Sequence, residues 1–165
     1  MNSARGLLTL ASLAVVLVGC GSGGSRSNGA TPAAAAGGGA TAATSKYDSG
    51  PRAGEGEIDE ARVADGERVF QTKGCTACHG WGQRMSGPDL QGVTMRRTAQ
   101  WMEQQILHPE VMTKEDPISH ALMAEFSLQM SNQGLTPDEA RAVIEYLKHR
   151  DHESREGSDD EGRTK

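Results

Sequence analysis

The chain has 165 residues, a formal net charge of −5 and only six aromatic residues, two each of Phe, Trp and Tyr. It has no basic stripe and almost no basic residues interleaved with aromatic ones, so the composition argues against nucleic acid as a partner. One domain of modest size is expected over residues 58–150. A domain this small often needs a staple, a metal or a cofactor, and the scarcity of aromatic side chains favours a bulky apolar cofactor.

The chain begins MNSARGLLTLASLAVVLVGC, an apolar run that lies between Arg5 and Cys20. The run is too short to span a bilayer comfortably and is typical of an export signal. Its ending, LVGC, resembles the bacterial lipobox, a signal that is cleaved before a cysteine that then carries lipid. We therefore predict a lipoprotein signal peptide over residues 1–19 and a lipid anchor at Cys20. The alternative is an ordinary signal peptide or an uncleaved anchor.

Two further segments lack the apolar residues of a folded core. Residues 20–57 are dominated by Gly, Ala, Ser and Thr, and residues 151–165 are polar throughout and include the acidic run SDDEG. Such sequences cannot bury enough surface to offset the entropy of ordering the chain. They predict a lipid-anchored flexible linker before the domain and a disordered acidic tail after it.

The domain opens with IDEARVADGERVFQTKG, which has the pattern of an amphipathic helix. Val63, Gly66 and Phe70 fall at helical spacing, and Gly74 suits the end of the helix. Gly66 in mid-helix costs about 1 kcal/mol relative to alanine. A close neighbour is therefore expected at Gly66.

The stretch GCTACHG follows, and it places Cys75, Cys78 and His79 within five positions. Cys-x-x-Cys-His is the attachment pattern of c-type haem. Two cysteines three residues apart on a tight turn can reach both vinyl groups of a porphyrin and form thioethers. The adjacent histidine then lies below the ring, where its imidazole can bind the iron.

Three other interpretations of this cluster are possible. A thioredoxin-like dithiol requires strands on either side, and no alternating pattern is present nearby. A zinc site requires a second ligand pair, and His108 and His120 do not form one of the usual spacings. A plain disulfide between Cys75 and Cys78 would leave His79 without a role. The export signal and the motif together favour haem.

Downstream, SGPDLQGV places Gly87 and Pro88 in a turn. A metal-bound histidine usually donates its other N–H to a carbonyl or carboxylate, which fixes the orientation of the ring. The carbonyl of Pro88 is a candidate acceptor for His79. A loop turn with no such role is the alternative.

The rest of the domain predicts further helices with clear starts. Thr98 can cap a helix that carries Trp101 and ends at Pro109, and Asp116 can cap the next one. The sequence LTPDEA gives a capping box between Thr136 and Glu139 at the start of the last helix. The domain is therefore predicted to be all-α, with four to five short helices.

The sixth iron ligand would decide what a histidine-ligated haem does. Methionine gives an electron-transfer site of raised potential, histidine a lower potential, and an open position gives ligand binding or peroxide chemistry. Met130 lies in the polar loop SLQMSNQG before the last helix, where a thioether can reach a metal without breaking a helix. Met123, a histidine or no ligand are the alternatives.

The segments ADGERVFQTKGCTACHG, GPDL, RTAQWMEQQILHP and MSNQGLTPDEARAVIEYL, in this order, resemble the class I, single-haem cytochromes c. The resemblance covers residues 58–150 and implies a cytochrome c-like fold around one covalently bound haem c. One departure is that Ser131 follows Met130, where the family often has proline. The departure leaves the rigidity of the loop and the potential open.

The resemblance also implies roles for single residues. Cys75 and Cys78 match the thioether pair, and His79 matches the proximal ligand. The remaining implied roles are the acceptor carbonyl at Pro88, the distal ligand at Met130, a propionate hydrogen bond from Trp101, and a close crossing of the first and last helices at Gly66, Phe70 and Tyr146.

The sequence thus predicts a monomeric electron carrier rather than an enzyme. Cys20 would tether it to a membrane of the cell envelope, with the haem domain on the periplasmic side among redox protein partners. A haem-based peroxidase or small-ligand sensor with an open sixth position is the alternative, and His120 is the nearby candidate for its acid–base chemistry. A structural lipoprotein without haem is a third possibility.

Overall fold

The computed structural model describes residues 44–163 of the chain, and side chains up to residue 158. The predicted signal peptide, Cys20 and the linker up to residue 43 lie outside the described residues. Within residues 44–163 there are six α-helices, two short 3₁₀ helices and no strand. The α-helices are α1 (Glu60–Thr72), α2 (Val93–Arg96), α3 (Ala99–Leu107), α4 (Pro109–Glu115), α5 (Pro117–Phe126) and α6 (Pro137–Arg163).

The predicted all-α class is confirmed, although the described part of the chain has more helices than the four to five expected. Pro109 ends α3 as predicted, but it also occupies the first turn of α4. Proline is tolerated there because its missing N–H has no partner within a helix anyway. Pro109 therefore marks both the end of α3 and the first residue of α4.

The cap residues predicted from the sequence occupy their places. The Thr98 side chain accepts from the N–H of Trp101 at 3.0 Å. Asp116 accepts from the N–H groups of Ile118 and Ser119, each at 3.0 Å. These bonds satisfy N–H groups that have no partner within the first turn of a helix, and they fix where α3 and α5 begin.

The capping box of α6 is closed in both directions. Thr136 N–H donates to Glu139 Oε2 at 2.8 Å, and Glu139 N–H donates to Thr136 Oγ1 at 3.2 Å. The two bonds set the first residue of the longest described helix.

Helices α1 and α6 cross at Gly66. A Cβ atom at this position would lie 2.0 Å from the carbonyl oxygen of Ala142 and 2.9 Å from Cβ of Tyr146. The Phe70 and Tyr146 rings pack beside the crossing with their centroids 5.5 Å apart. The close approach explains why a residue that is unfavourable in a helix stands there.

The buried core is small. Its largest apolar members lie on α1, α3, α4 and α6: Val69, Phe70, Trp101, Met102, Met112, Val143, Ile144, Tyr146 and Leu147. In the described part of the chain no helix combines the length and apolar character needed to cross a membrane.

The predicted linker boundary at residue 57 is corrected by the structure, because the described residues before it pack on the domain. Ser45 is 2% exposed. The Thr98 hydroxyl donates to the Tyr47 carbonyl at 2.6 Å, and Thr98 N–H donates to Asp48 Oδ1 at 2.8 Å. Hydrogen bonds attach this segment together with the buried Ala53 and the partly buried Tyr47, so its mainly polar composition did not predict it.

The predicted disordered tail from Asp151 is also corrected, because α6 continues to Arg163. Asp151 is 2% exposed, and its carboxylate accepts from the N–H groups of Gly92 and Thr94 and from the Thr94 hydroxyl. Ser154 accepts from Trp81 Nε1 at 2.9 Å. Asp151 supplies the acceptor oxygens that the start of α2 needs, a role that its polar neighbours in sequence do not reveal.

Candidate haem site

The cysteine–histidine cluster forms a single turn directly after α1. Gly74 adopts a left-handed conformation, with φ of 76°, and redirects the chain. The N–H groups of Cys78 and His79 both donate to the Cys75 carbonyl, at 3.2 and 3.1 Å. Glycine adopts this conformation without the steric cost that a Cβ atom brings. The turn therefore brings the three side chains to one place.

Both cysteines of the turn are half-buried free thiols that line one cavity. Burial raises the pKa of the Cys75 thiol, and the neighbouring Cys78 thiol acts in the same direction. A thiol with a raised pKa is a poor nucleophile for disulfide exchange, which requires the thiolate. Among residues 44–163 no strand flanks the turn, so the α/β surroundings of a thioredoxin-like dithiol are missing.

The imidazole of His79 is held by the loop that follows it. Its Nδ1 lies 2.9 Å from the Pro88 carbonyl oxygen, so Nδ1–H donates and Nε2 keeps its lone pair. Gly87 N–H donates to the Cys78 carbonyl at 2.8 Å, and a Cβ at Gly87 would lie 2.9 Å from Cε1 of the ring. The contact expected between His79 and Pro88 is present, and it orients His79 as a metal ligand requires.

The cavity has about 1410 Å³ of empty space, part of which is open to solvent. Cys75, Cys78 and His79 line it together with mainly apolar side chains from α1, α2, α3, α5, α6 and the loop before α2, among them Phe70, Leu90, Val93, Met102, Ile106, Leu122, Val143 and Leu147. A large apolar space with two free thiols and an oriented imidazole fits a haem that is attached through both cysteines. Among the described side chains, no group of three or more His, Cys, Asp or Glu residues is placed to hold a metal ion by itself.

Met130 lies in the loop between α5 and α6 and lines the same cavity as His79. It is half-buried, and its Sδ atom lies 3.7 Å from Nε2 of Gln105. Met123 on α5 also lines the cavity and is the other half-buried methionine there. Met102 is a buried core residue. The structure thus brings the predicted distal ligand and the predicted proximal ligand to one cavity.

Trp101 lines the cavity, and its indole N–H has a partner within the protein. Its Nε1–H donates to Asp116 Oδ1 at 3.0 Å, and the side chain is 4% exposed. Tryptophan has a single N–H donor. The bond from Trp101 to a haem propionate that the resemblance implies stays a prediction, and in this structure the one indole donor serves the cap residue of α5.

The charge of Asp116 is stabilised where it lies. Its own burial raises the pKa of this carboxyl, but the Ser45 hydroxyl, Trp101 Nε1–H and the N–H groups of Ser119 and Ile118 outweigh burial and hold the pKa below its ordinary value of 3.8. Asp116 therefore stays ionised at neutral pH and fixes the Trp101 ring in the cavity wall.

Two groups of cavity residues were not predicted from the sequence. Arg96 and Arg97 line the cavity, and the Arg97 guanidinium lies 5.1 Å from the centre of the Trp101 ring. Gln105 lies one helical turn after Trp101 on α3 and also lines the cavity. Its spacing from Trp101 is the signal that could have placed this polar residue on the apolar face of the helix.

Comparisons with known proteins agree with this geometry. A model of the family described as Cytochrome c matches residues 63–151, which is more than half of the chain. A comparison with curated protein sequences finds no match.

Three solved structures are similar to this chain. A cytochrome c from Rhodothermus marinus is 35% identical with a TM-score of 0.57, over 59% of this chain and 83% of that chain. An engineered cytochrome c from Rhodothermus marinus, Rma TDE, is 34% identical with a TM-score of 0.56, over 58% and 83%. Rma TDE bound to a carbene intermediate is 35% identical with a TM-score of 0.53, over 58% and 82%.

The family match, the helical fold and the Cys-x-x-Cys-His turn at the cavity lead to one conclusion. The chain belongs to the cytochrome c family, a family of electron carriers with covalently attached haem c.

Proposed function

We propose that this protein is a membrane-tethered carrier of single electrons whose haem iron is bound by His79 and Met130. The observation that carries the proposal is that the oriented imidazole of His79, both free thiols and the thioether of Met130 line one apolar cavity. Redox proteins on the outer side of a bacterial membrane are its partners, and it acts as a monomer.

Four side chains hold the cofactor. Cys75 and Cys78 would form the thioethers, and Nε2 of His79 and Sδ of Met130 would bind the iron. When bound, the haem supplies an iron that changes between ferrous and ferric states by one electron. The protein orients the imidazole through Pro88 and keeps water from the ring with its apolar lining. A methionine ligand and an apolar surrounding both favour the ferrous state, so a raised potential is expected.

The tether is proposed from the sequence of the N-terminal segment. A lipid on Cys20, exposed after cleavage of residues 1–19, would anchor the protein with the haem domain on the periplasmic side. Anchoring raises the effective concentration of the carrier near membrane oxidoreductases. A Cys20→Ala variant tests this proposal: the haem-loaded protein should move from the membrane fraction to the soluble fraction. Unchanged membrane association would contradict a lipid on Cys20.

The ligand assignment is tested by comparing Met130→Ala with Met123→Ala in the full chain produced in cells that attach haem c. The ferric wild type should be low-spin and show the weak far-red band of sulfur-to-iron charge transfer. Met130→Ala should lose the band, lower the midpoint potential and bind small ligands faster. Met123→Ala should keep the band, because Met123 serves only as packing.

Each other outcome has a definite meaning. A band that survives in Met130→Ala but disappears in Met123→Ala would move the ligand role to Met123. A high-spin wild type without the band would mean an open sixth position, and a ligand-binding or peroxidase function would then replace electron transfer. His120 is exposed and its Nδ1 lies 3.2 Å from the Thr113 carbonyl, so it is not placed as the acid–base group of such an enzyme.

A further inference from the structure

Gln105 contacts the thioether of Met130 directly. It lies on the cavity face of α3, and its Nε2 is 3.7 Å from Met130 Sδ. Sulfur is larger than oxygen, so this separation is a hydrogen bond in which the amide N–H donates and the thioether accepts. Only the NH₂ end of the side chain can make this bond, and the sulfur therefore fixes which way the amide points.

The other end of the same amide has an unfavourable environment. Among the described residues, Gln105 Oε1 is a buried acceptor with no hydrogen-bond partner. A leucine of similar size would avoid this cost and would suit the apolar lining around it. A glutamine at this position is therefore unfavourable for packing, and its contact with Met130 is the interaction that accounts for it.

A second side chain attaches the same loop to the same helix. Asn132 Nδ2 donates to the Leu107 carbonyl at 2.9 Å, and Asn132 Oδ1 accepts from Gly134 N–H at 2.8 Å. Leu107 is the last residue of α3, where carbonyls lack partners within the helix. The two bonds to α3 are made by the residues on either side of Ser131, the position at which proline often stands in the family that the sequence resembles.

We propose that Gln105 is a positioning residue for the sixth ligand, and that Gln105 and Asn132 fix the Met130 loop to α3 in place of a rigid proline. This inference rests on the proposed ligation by Met130. A thioether sulfur has two lone pairs, so it can accept from Gln105 with one and bind a metal with the other. The hydrogen bond holds the sulfur in place and withdraws electron density from it. The first effect slows replacement of the sulfur by another ligand, and the second favours the ferrous state.

The test compares Gln105→Leu with Gln104→Leu in the haem-loaded full chain. Gln104 is the preceding residue of α3, does not line the cavity and serves as the matched control. Gln105→Leu should lower the midpoint potential and speed the binding of imidazole to the ferric protein by about two- to tenfold, the range that one hydrogen bond supports. Its resistance to urea should be unchanged or higher, because the buried unpaired carbonyl is removed. A merely structural role for Gln105 predicts the opposite: lower stability and an unchanged potential.

Asn132→Ala provides the second measurement, since it removes the other attachment without altering the cavity lining. Imidazole should again bind faster than in the wild type. The proposal is overturned if Gln105→Leu matches Gln104→Leu in potential and in binding rate, or if Asn132→Ala binds imidazole at the wild-type rate. The Met130→Ala variant distinguishes failure of the ligand assignment from failure of the role proposed for Gln105. If it loses the far-red band while Gln105→Leu is silent, the ligand assignment stands and only the role of Gln105 fails.

Discussion

Replacing Gly66 with alanine tests the close crossing of α1 and α6. The added Cβ would lie 2.0 Å from the carbonyl oxygen of Ala142 and 2.9 Å from Cβ of Tyr146. Overpacking usually costs about 1–3 kcal/mol, and here a backbone oxygen cannot rotate away, so about 3–4 kcal/mol is expected. Alanine recovers about 1 kcal/mol of helix propensity. The net destabilisation is therefore about 2–3 kcal/mol.

The assay is unfolding of the haem-loaded protein followed by far-ultraviolet circular dichroism. At roughly 4–8 °C per kcal/mol for a domain of this size, the midpoint temperature should fall by about 10–20 °C. Gly157→Ala is the matched control, because Gly157 is exposed in α6 and a Cβ there meets nothing within 4 Å. The control should be neutral or slightly stabilising. If Gly66→Ala unfolds within about 0.5 kcal/mol of the wild type, the close crossing of α1 and α6 is refuted.

Two further predictions concern buried carboxylates. Asp151→Ala should lower the urea unfolding free energy by about 3 kcal/mol, because it leaves the N–H groups of Gly92 and Thr94 without their acceptor, and Asp151→Asn should fall between it and the wild type. Equal stability of all three proteins would contradict the role of Asp151 at the start of α2. Asp116→Asn should change the pH dependence of stability. Because the folded pKa of Asp116 lies below its ordinary 3.8, its charge contributes stability above that pH, and the contribution is lost as the pH falls through the folded pKa. The stability difference between wild type and Asp116→Asn should therefore be larger at pH 7 than at pH 3, and a constant difference would refute the assignment.

Features that depend on neighbours in sequence were predictable. The cap roles of Thr98 and Asp116 use N–H groups two or three residues away, and the turn at Cys75–Ala77 depends on spacing within a few residues. The contact of His79 with Pro88 spans nine residues, and the sequence indicates the Pro88 carbonyl only as one candidate acceptor. Such features depend on partners a few residues away, so the sequence itself places the two groups near each other.

Features that depend on distant partners were missed or mistaken. The Trp101 N–H could have served a propionate or a carboxylate, and only the folded chain shows that Asp116, fifteen residues on, lies beside it. The sequence around Asp151 predicts a solvated acidic tail. In the folded chain Asp151 accepts from the otherwise unpaired N–H groups at the start of α2, and Thr94 lies 57 residues before it. Hydropathy does not reveal a polar side chain that is buried because it completes another segment's hydrogen bonds.

The two corrected boundaries have a consequence for recombination between relatives. The family match ends at Asp151, but the contacts of this domain run from Ser45 at one end to Ser154 at the other. A chimaera that exchanges only residues 63–151 would separate Thr98 from Tyr47 and Trp81 from Ser154. The segment that can be exchanged between chains with its contacts intact is therefore longer than the segment that matches the family.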